Sequence, residues 1–227
     1  MATSYSPKVI TNGLVLALDA GNIKSYPGSG TTWTDLSGNG NSGSLVNDPT
    51  FNSGNGGSFV FDGIDDYGTI STNAQLITTE FTKSVWFNIL DIPVDTNIRE
   101  IFRQGSLYFL ISYRADLIPK RWEIGFTDST VTSKYWAPST LTLNTWQNIT
   151  LTGNGSNYGI YHNGILQTSG EYTGVRTAGT GQIFICSQNT TSRFINAKIG
   201  IINYYNRGLT QQEVIQNFNA TRSRFGV

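Results

Sequence analysis

Arg121-Trp122-Glu123-Ile124-Gly125-Phe126-Thr127, RWEIGFT, alternates large apolar side chains with charged or small ones. Successive side chains of a strand point to opposite faces, so Trp122, Ile124 and Phe126 share one face and Arg121, Glu123 and Gly125 the other. Such a strand has one face in a core and one in water. Just before it, SLYFLISYR (106–114) repeats the pattern, with Leu107, Phe109, Ile111 and Tyr113 on one side.

Working outward, the same reading extends along the chain. GLVLALDAG (13–21) is a short apolar run bounded by Gly and Asn, which favours a buried strand over a helix. SFVFDG (58–63) carries Phe59 and Phe61 on one face, and FTKSVWFNIL (81–90) adds a further aromatic strand. NTWQNITLTGN (144–154) and NYGIYHNGILQTSG (157–170) follow, and Asn163-Gly164 inside the second predicts a hairpin with a type I′ turn. QIFICSQ (182–188) and FINAKIGIINYYN (194–206) complete the strands. A single helix is expected in RGLTQQEVIQNF (207–218). Thr210 and Glu213 form a capping box there, Leu209 and Val214 a hydrophobic staple, and Val214, Ile215 and Phe218 an apolar stripe. Many short strands, Gly-rich turns and one late helix predict a two-sheet antiparallel sandwich.

Composition narrows the function. The 227 residues suit one all-β core, and charged residues are scarce at 13% while aromatics reach 12%. Fifteen basic and 15 acidic residues give a formal net charge of zero, so no broad field draws the chain to nucleic acid or an anionic membrane. No apolar run approaches about 18 residues and the first residues lack a signal-peptide pattern, so cytoplasmic synthesis without membrane insertion is expected. The four sequons, at Asn148, Asn154, Asn189 and Asn219, then read as accidents of an Asn- and Thr-rich chain. Cys186 and His162 are single, which rules out a disulfide framework and any site needing two imidazoles or thiolates. Cys186 reads as a small buried hydrophobe and His162 as a turn residue.

GLVLALDA, WTDLSGNGNSGSL, GGSFVFDGIDDYGTI, FTKSVWF, TWQNITLT, IYHNGIL and KIGIINYYNRGLTQQEV, in this order, resemble the laminin G-like, concanavalin A-like jelly-roll domain. The likeness spans Gly13 to Phe218. It implies an all-β, two-sheet antiparallel jelly-roll sandwich with one short C-terminal helix, the domain occupying 13–219 between an arm (1–12) and a tail (220–227). It also implies that the Gly-, Asn- and Asp-rich stretch 31–70 is an ordered loop and strand pair. There Asp35, Ser37, Asn39 and Asn41 satisfy backbone amides in tight turns. Where relatives often carry a His after SGNGN, this chain has Ser42. The family hosts lectins, glycoside hydrolases, adhesion modules and structural domains, so the fold leaves function open.

Asp62, Asp65 and Asp66 admit two readings. Either they cap the turn between SFVF and YGTI, or, with Asp19 as a further ligand, they hold calcium as several members of the wider family do. Catalysis is not expected. The related glycosidases carry an E-x-D-x-x-E strand motif, whereas Glu80, Glu100, Glu123, Glu171 and Glu213 are scattered here and Glu213 belongs to the capping box. For binding, Tyr135 and Trp136 in SKYWAPSTL, with Trp33 and Tyr26, are candidates to stack on sugar rings, the other reading being that they seal the core ends.

A short polar arm, a domain that starts at once, a terminal helix and the tail NATRSRFGV resemble single-domain virion proteins of tailed bacteriophages, including those of marine cyanobacteria. This implies a non-enzymatic virion structural or decoration protein: a capsid fibre, knob or tail-adhesion component. It would sit on the virion as a homo-oligomer among other virion proteins. The alternatives are a carbohydrate-binding host-recognition module contacting a host surface glycan and, after it, a cellular glycan-binding protein. In the virion reading Arg222, Arg224 and Phe225 of the tail contact a neighbouring subunit.

Overall fold

A computed structural model describes residues 7–105, 109–130, 132–139, 141–173 and 182–227. In chain order its strands begin with β1 (Leu14–Asp19), β2 (Thr32–Trp33), β3 (Gly43–Val46), β4 (Thr50–Asn52), β5 (Ser58–Asp62) and β6 (Tyr67–Ser71). Next come β7 (Glu80–Ile89), β8 (Arg99–Gln104), β9 (Phe109–Arg114), β10 (Arg121–Thr127) and β11 (Ser133–Trp136). The last are β12 (Trp146–Asn154), β13 (Asn157–His162), β14 (Ile165–Glu171), β15 (Gln182–Ile185) and β16 (Asn196–Tyr205), before the helix α1 (Gln211–Phe225).

These strands make two eight-stranded antiparallel sheets. The first runs β14-β13-β12-β7-β16-β5-β4, with β1 also paired to β16; the second runs β11-β10-β9-β8-β15-β6-β3-β2. The period-2 patterns read from the sequence face the space between them. Phe109, Ile111, Trp122, Ile124 and Phe126 of the second sheet meet Phe59, Phe61, Val85, Phe87, Ile149 and Ile199 of the first in one core. Leu107 lies outside the described residues. Burying a side chain of this size contributes about 1.5–3 kcal/mol, so the alternation itself fixes which face of each strand turns inward.

Local chemistry places the turns as expected. Asn163 and Gly164 have φ of 49° and 74°, the pair of positive values that a type I′ turn requires. Asp35 anchors the loop after β1: Oδ1 accepts from Ala17 N (2.8 Å) and Ser37 N (2.9 Å), and Oδ2 accepts from Asn41 N (2.9 Å). Ser42, the residue standing where relatives carry His, accepts from Asp35 N through Oγ at 3.1 Å. Cys186 is fully buried, and burial pushes its thiol well above the ordinary value.

At α1 the capping box is present in both directions: Glu213 N donates to Thr210 Oγ1 (3.3 Å) and Thr210 N to Glu213 Oε2 (2.9 Å). Leu209 and Val214 are buried together against Tyr161 and Tyr205. A bidentate fork from Arg207 (2.9 and 2.7 Å) holds the Glu213 carboxyl down at about 2.

One boundary expectation is corrected. The helix continues through residue 220 to Phe225, ending on Gly226 at φ 74°, so 220–227 is not a separate tail. The helix carries Phe218 and, in its last turn, Phe225 onto Trp86, Trp146 and Ile201, which form the outward face of the first sheet. The described part of the arm is also tied down. Gln216 donates to Lys8 O (2.8 Å), Ile10 N to Asn217 Oδ1 (2.8 Å), and Tyr205 OH to Ile10 O (2.9 Å). The described part of the arm and the C-terminal helix therefore lie on the outer side of the first sheet.

Candidate functional site

The outer face of the second sheet carries a cluster of charged side chains. Strand pairing sets Glu100 of β8 and Glu123 of β10 on either side of Ser112 of β9. Two strand spacings separate them, about 10 Å between Cα atoms. The next row reads Arg103, Leu110, Gly125, Tyr135 across β8 to β11. Small residues keep the floor low, and long ones rise at its ends.

Ion pairs lock the long side chains. Glu100 Oε1 receives Arg103 Nη1 at 2.8 Å and Arg193 Nη1 at 2.5 Å. Glu123 receives Arg114 Nη1 at 2.8 Å and Arg121 Nη2 at 3.0 Å, and Arg114 also bonds Asp116 at 2.8 Å. The fork to Asp116, then Glu123, raises the Arg114 guanidinium above its ordinary value, so it stays charged. Three depressions of about 510, 290 and 250 Å³ follow one another along this face. The first two share Ile98 and Arg193, and the last two share Leu110, Arg114 and Glu123. They form one groove with Tyr135 at one end and the loops of Thr96–Arg99 and Thr191–Arg193 at the other.

Of the four candidate stacking aromatics, only Tyr135 opens onto this groove, 44% exposed. Trp136, its neighbour on β11, points to the opposite side, packs on the core and lies 5.5 Å from the His162 ring. Trp33 and Tyr26 do not form a loop surface. Both are buried, edge-on to Phe59 at 4.8 and 4.7 Å, with the Tyr26 hydroxyl donating to Gly30 O. They seal a core end, because an aromatic ring gains more from apolar contact than from water. His162 is half-buried against Gln147 (3.1 Å), and burial lowers its imidazole below the ordinary value.

Tyr135 depends on Gly125. A Cβ on Gly125 would come within 2.0 Å of Lys134 O and 2.7 Å of Tyr135 Cα, so only glycine lets β11 approach. Gly125→Ala should therefore unpair β11 from β10. Amide exchange at 133–136 should accelerate by more than tenfold while the exchange of β12 and β16 amides stays unchanged. Uniform protection in the variant would show that the strand tolerates the Cβ.

The aspartate cluster lies in the β5–β6 turn. Asp62 Oδ1 accepts from Ile64 N at 2.8 Å, Asp66 Oδ2 from Asp62 N at 3.2 Å, and one oxygen from each of Asp62, Asp65 and Asp66 falls within 4.8 Å of the others. The turn-capping reading holds, and the hard oxygen set also suits calcium. Asp19 does not join it; its Oδ1 pairs with Arg224 at 2.5 Å and accepts from Gly21 N. Burial first, and then the carboxylates of Asp62, Asp65 and Asp48, push Asp66 up to about 6. A folded pKa above the unfolded one means that the native state binds the proton more tightly, so stability falls as pH rises from about 4 to 6. Asp66→Asn should remove that slope and raise the melting temperature at pH 7, measured in chelator. Calcium seated among these carboxylates would stabilise the native protein, and much less the variant; superimposable melts with calcium and chelator would leave turn capping alone.

Glu100 and Glu123 had no assigned role in the sequence, where 22 intervening positions separate them. The outward alternation of Arg121 and Glu123 was visible, but the pairing of both glutamates with Ser112 required the register.

The model of the concanavalin A-like lectin/glucanases superfamily matches residues 61–215. No curated protein sequence matches the chain. The fold is shared by the binding domain of Paraclostridial Mosquitocidal Protein 1 at TM-score 0.73 and 16% identity, over 92% of this chain and 52% of that one. The botulinum neurotoxin serotype D ligand binding domain in complex with N-acetylneuraminic acid matches at 0.69 and 16%, over 92% and 51%. The botulinum neurotoxin serotype G binding domain matches at 0.69 and 19%, over 90% and 50%. The chain thus spans about half the length of these solved binding domains.

Proposed function

The chain belongs to the concanavalin A-like lectin/glucanase superfamily, and we propose that it is a non-catalytic carbohydrate-binding module that holds a glycan in the groove of the second sheet. One observation carries this reading: a continuous groove whose walls are planar Arg–Glu pairs fixed on strands, with an exposed tyrosine at its end. Rigidly held polar planes suit sugar hydroxyls, and a tyrosine face suits the C–H side of a pyranose ring. The similarity in fold to proteins described as binding domains supports it.

The non-catalytic part rests on the two glutamates. Hydrolysis needs an acid and a nucleophile or base free to act, whereas three of the four oxygens of Glu100 and Glu123 already accept guanidinium donors. A virion setting, as a decoration, fibre, knob or tail-adhesion component, is our proposal for where such a module works. Its support is geometric: the described arm residues and the C-terminal helix lie on the outer side of the first sheet, so a particle attached there leaves the groove free toward a host glycan. The assembly contact first assigned to Phe225 and Arg224 must then use another surface, since both are engaged within the domain.

The test is a glycan microarray probed with the native protein and with Tyr135→Ala. Binding that falls at least fivefold in the variant supports the groove. Binding unaffected by Tyr135→Ala would move the site elsewhere, and no binding at all would favour a purely structural role.

A further inference from the structure

We infer that the groove selects an uncharged, hydroxyl-rich saccharide over an acidic one, and that Glu100 sets this preference. The inference rests on the carbohydrate-binding reading above and names the ligand class for that site.

Two polar atoms on this face are buried without a hydrogen-bond partner among the described residues: Glu100 Oε2, an acceptor, and Arg121 Nε, a donor. Glu100 is 0% exposed yet lines the central depression. An orphaned buried carboxylate oxygen is costly, so a ligand donor that reaches it is stabilising. Arg121 stands two residues from Glu123 on the same outward face of β10. A hydroxyl both donates and accepts, so a polyol in the central depression can donate to Glu100 Oε2, which lines it. A ligand carboxylate accepts only, and set beside Glu100 Oε2 it faces a like charge.

The arginines do not reverse this preference. Arg103 and Arg193 are paired to Glu100, Arg121 to Glu123, Arg114 to Glu123 and Asp116, and Arg99 to Asp95. Each guanidinium thus already faces a protein carboxylate, so an anionic sugar would have to displace one or sit beside it. A neutral sugar hydrogen-bonds to the remaining edges without breaking a pair. Ser112, between the two glutamates, adds a hydroxyl of its own to the floor.

Amide and arginine Nε–H resonances of the full chain, titrated with maltohexaose, laminarihexaose, cellohexaose, hexagalacturonate and 3′-sialyllactose, provide the test. At least one neutral hexasaccharide should shift Arg103, Arg114 or Arg193 and the β8–β10 amides. The acidic probes should bind at least tenfold more weakly. Glu100→Gln, which puts a donor where Oε2 accepts, should lose tenfold or more for the neutral ligand and narrow the gap to the acidic probes. Preferential binding of an acidic probe in the groove, weakened by Tyr135→Ala, would overturn the neutral selection while leaving carbohydrate binding intact. No groove shift with any probe would overturn carbohydrate binding itself. If Glu100→Gln fails to fold, the probe preference and arginine shifts of the native protein decide the question alone.

Discussion

Deleting residues 222–227 should lower the melting temperature by about 10 °C or more. Phe225 stacks on Trp86 at 4.4 Å between centroids and meets Trp146 at 4.5 Å. It also closes over Gly200, where a Cβ would lie 2.8 Å from its ring. Removing a buried phenylalanine side chain costs about 3–5 kcal/mol, and at this chain length each kcal/mol moves the midpoint by about 2–4 °C. Arg224 adds to the loss, because it pairs with Asp19 and donates to Asn55 O (2.9 Å) and Gly57 O (2.7 Å), tying the helix end to the β4–β5 turn. Phe225→Ala alone should reproduce most of the drop. Arg222→Ala should shift the midpoint by no more than about 2 °C, since its guanidinium only lies over Phe218 at 5.9 Å on the surface. Calorimetry of the three variants decides it, and a truncated chain that melts with the native one would show that the last turn contributes nothing.

The second large effect comes from Lys83, an amine inside the sandwich. β7 turns Phe81, Lys83, Val85 and Phe87 inward together. The Lys83 ammonium lies 5.4, 5.5 and 5.2 Å from the rings of Phe81, Phe109 and Tyr204, and it donates to Gln104 Oε1. No carboxylate pairs with it among the described residues. Burial lowers its pKa to about 7, and the three rings offset only part of that cost. The sign follows from proton counting. Below pH 7 both the folded and unfolded states carry the proton and the full penalty of the buried charge persists. Between pH 7 and the unfolded value near 10.5 only the unfolded state holds it, so stability rises with pH.

The slope approaches about 1.4 kcal/mol per pH unit, and the whole shift is worth on the order of 5 kcal/mol. Above pH 9 the opposite contribution enters. Cys186, Tyr204 and Tyr205 have pKa values raised by burial, and their unfolded forms lose protons first. Urea unfolding from pH 7 to 9 is therefore the window, because Asp66 and His162 titrate at its lower edge or below it. Native stability should climb through it, and Lys83→Met should be flat and more stable than the native protein at pH 7. The gain survives the loss of Gln104's donor, about 1–3 kcal/mol, because the buried charge costs more. Parallel pH profiles for the two proteins would mean that the ammonium is solvated.

What the amino-acid sequence determined by itself is local. The alternation in β9 and β10, the Asn163-Gly164 turn, the Thr210–Glu213 capping box and the Asp35 bonds to Ser37 and Asn41 each depend on side chains within a few positions of one another. Their physics needs no distant partner, so composition and spacing suffice. The inward face of each strand followed from the same period, although Lys83 shows that the period fixes direction and not polarity. The tertiary structure alone decided what meets across the chain. Glu100 and Glu123 became neighbours through β9, Trp33 and Tyr26 went into the core on Phe59, and Trp136 faced away from its neighbour Tyr135. Phe225 found its pocket on Trp86 and Trp146, more than 70 residues earlier in the chain. Strand register and sheet order set these contacts. They emerge from summing burial over the whole sandwich, where a one-residue slip would turn every side chain of a strand to the opposite face.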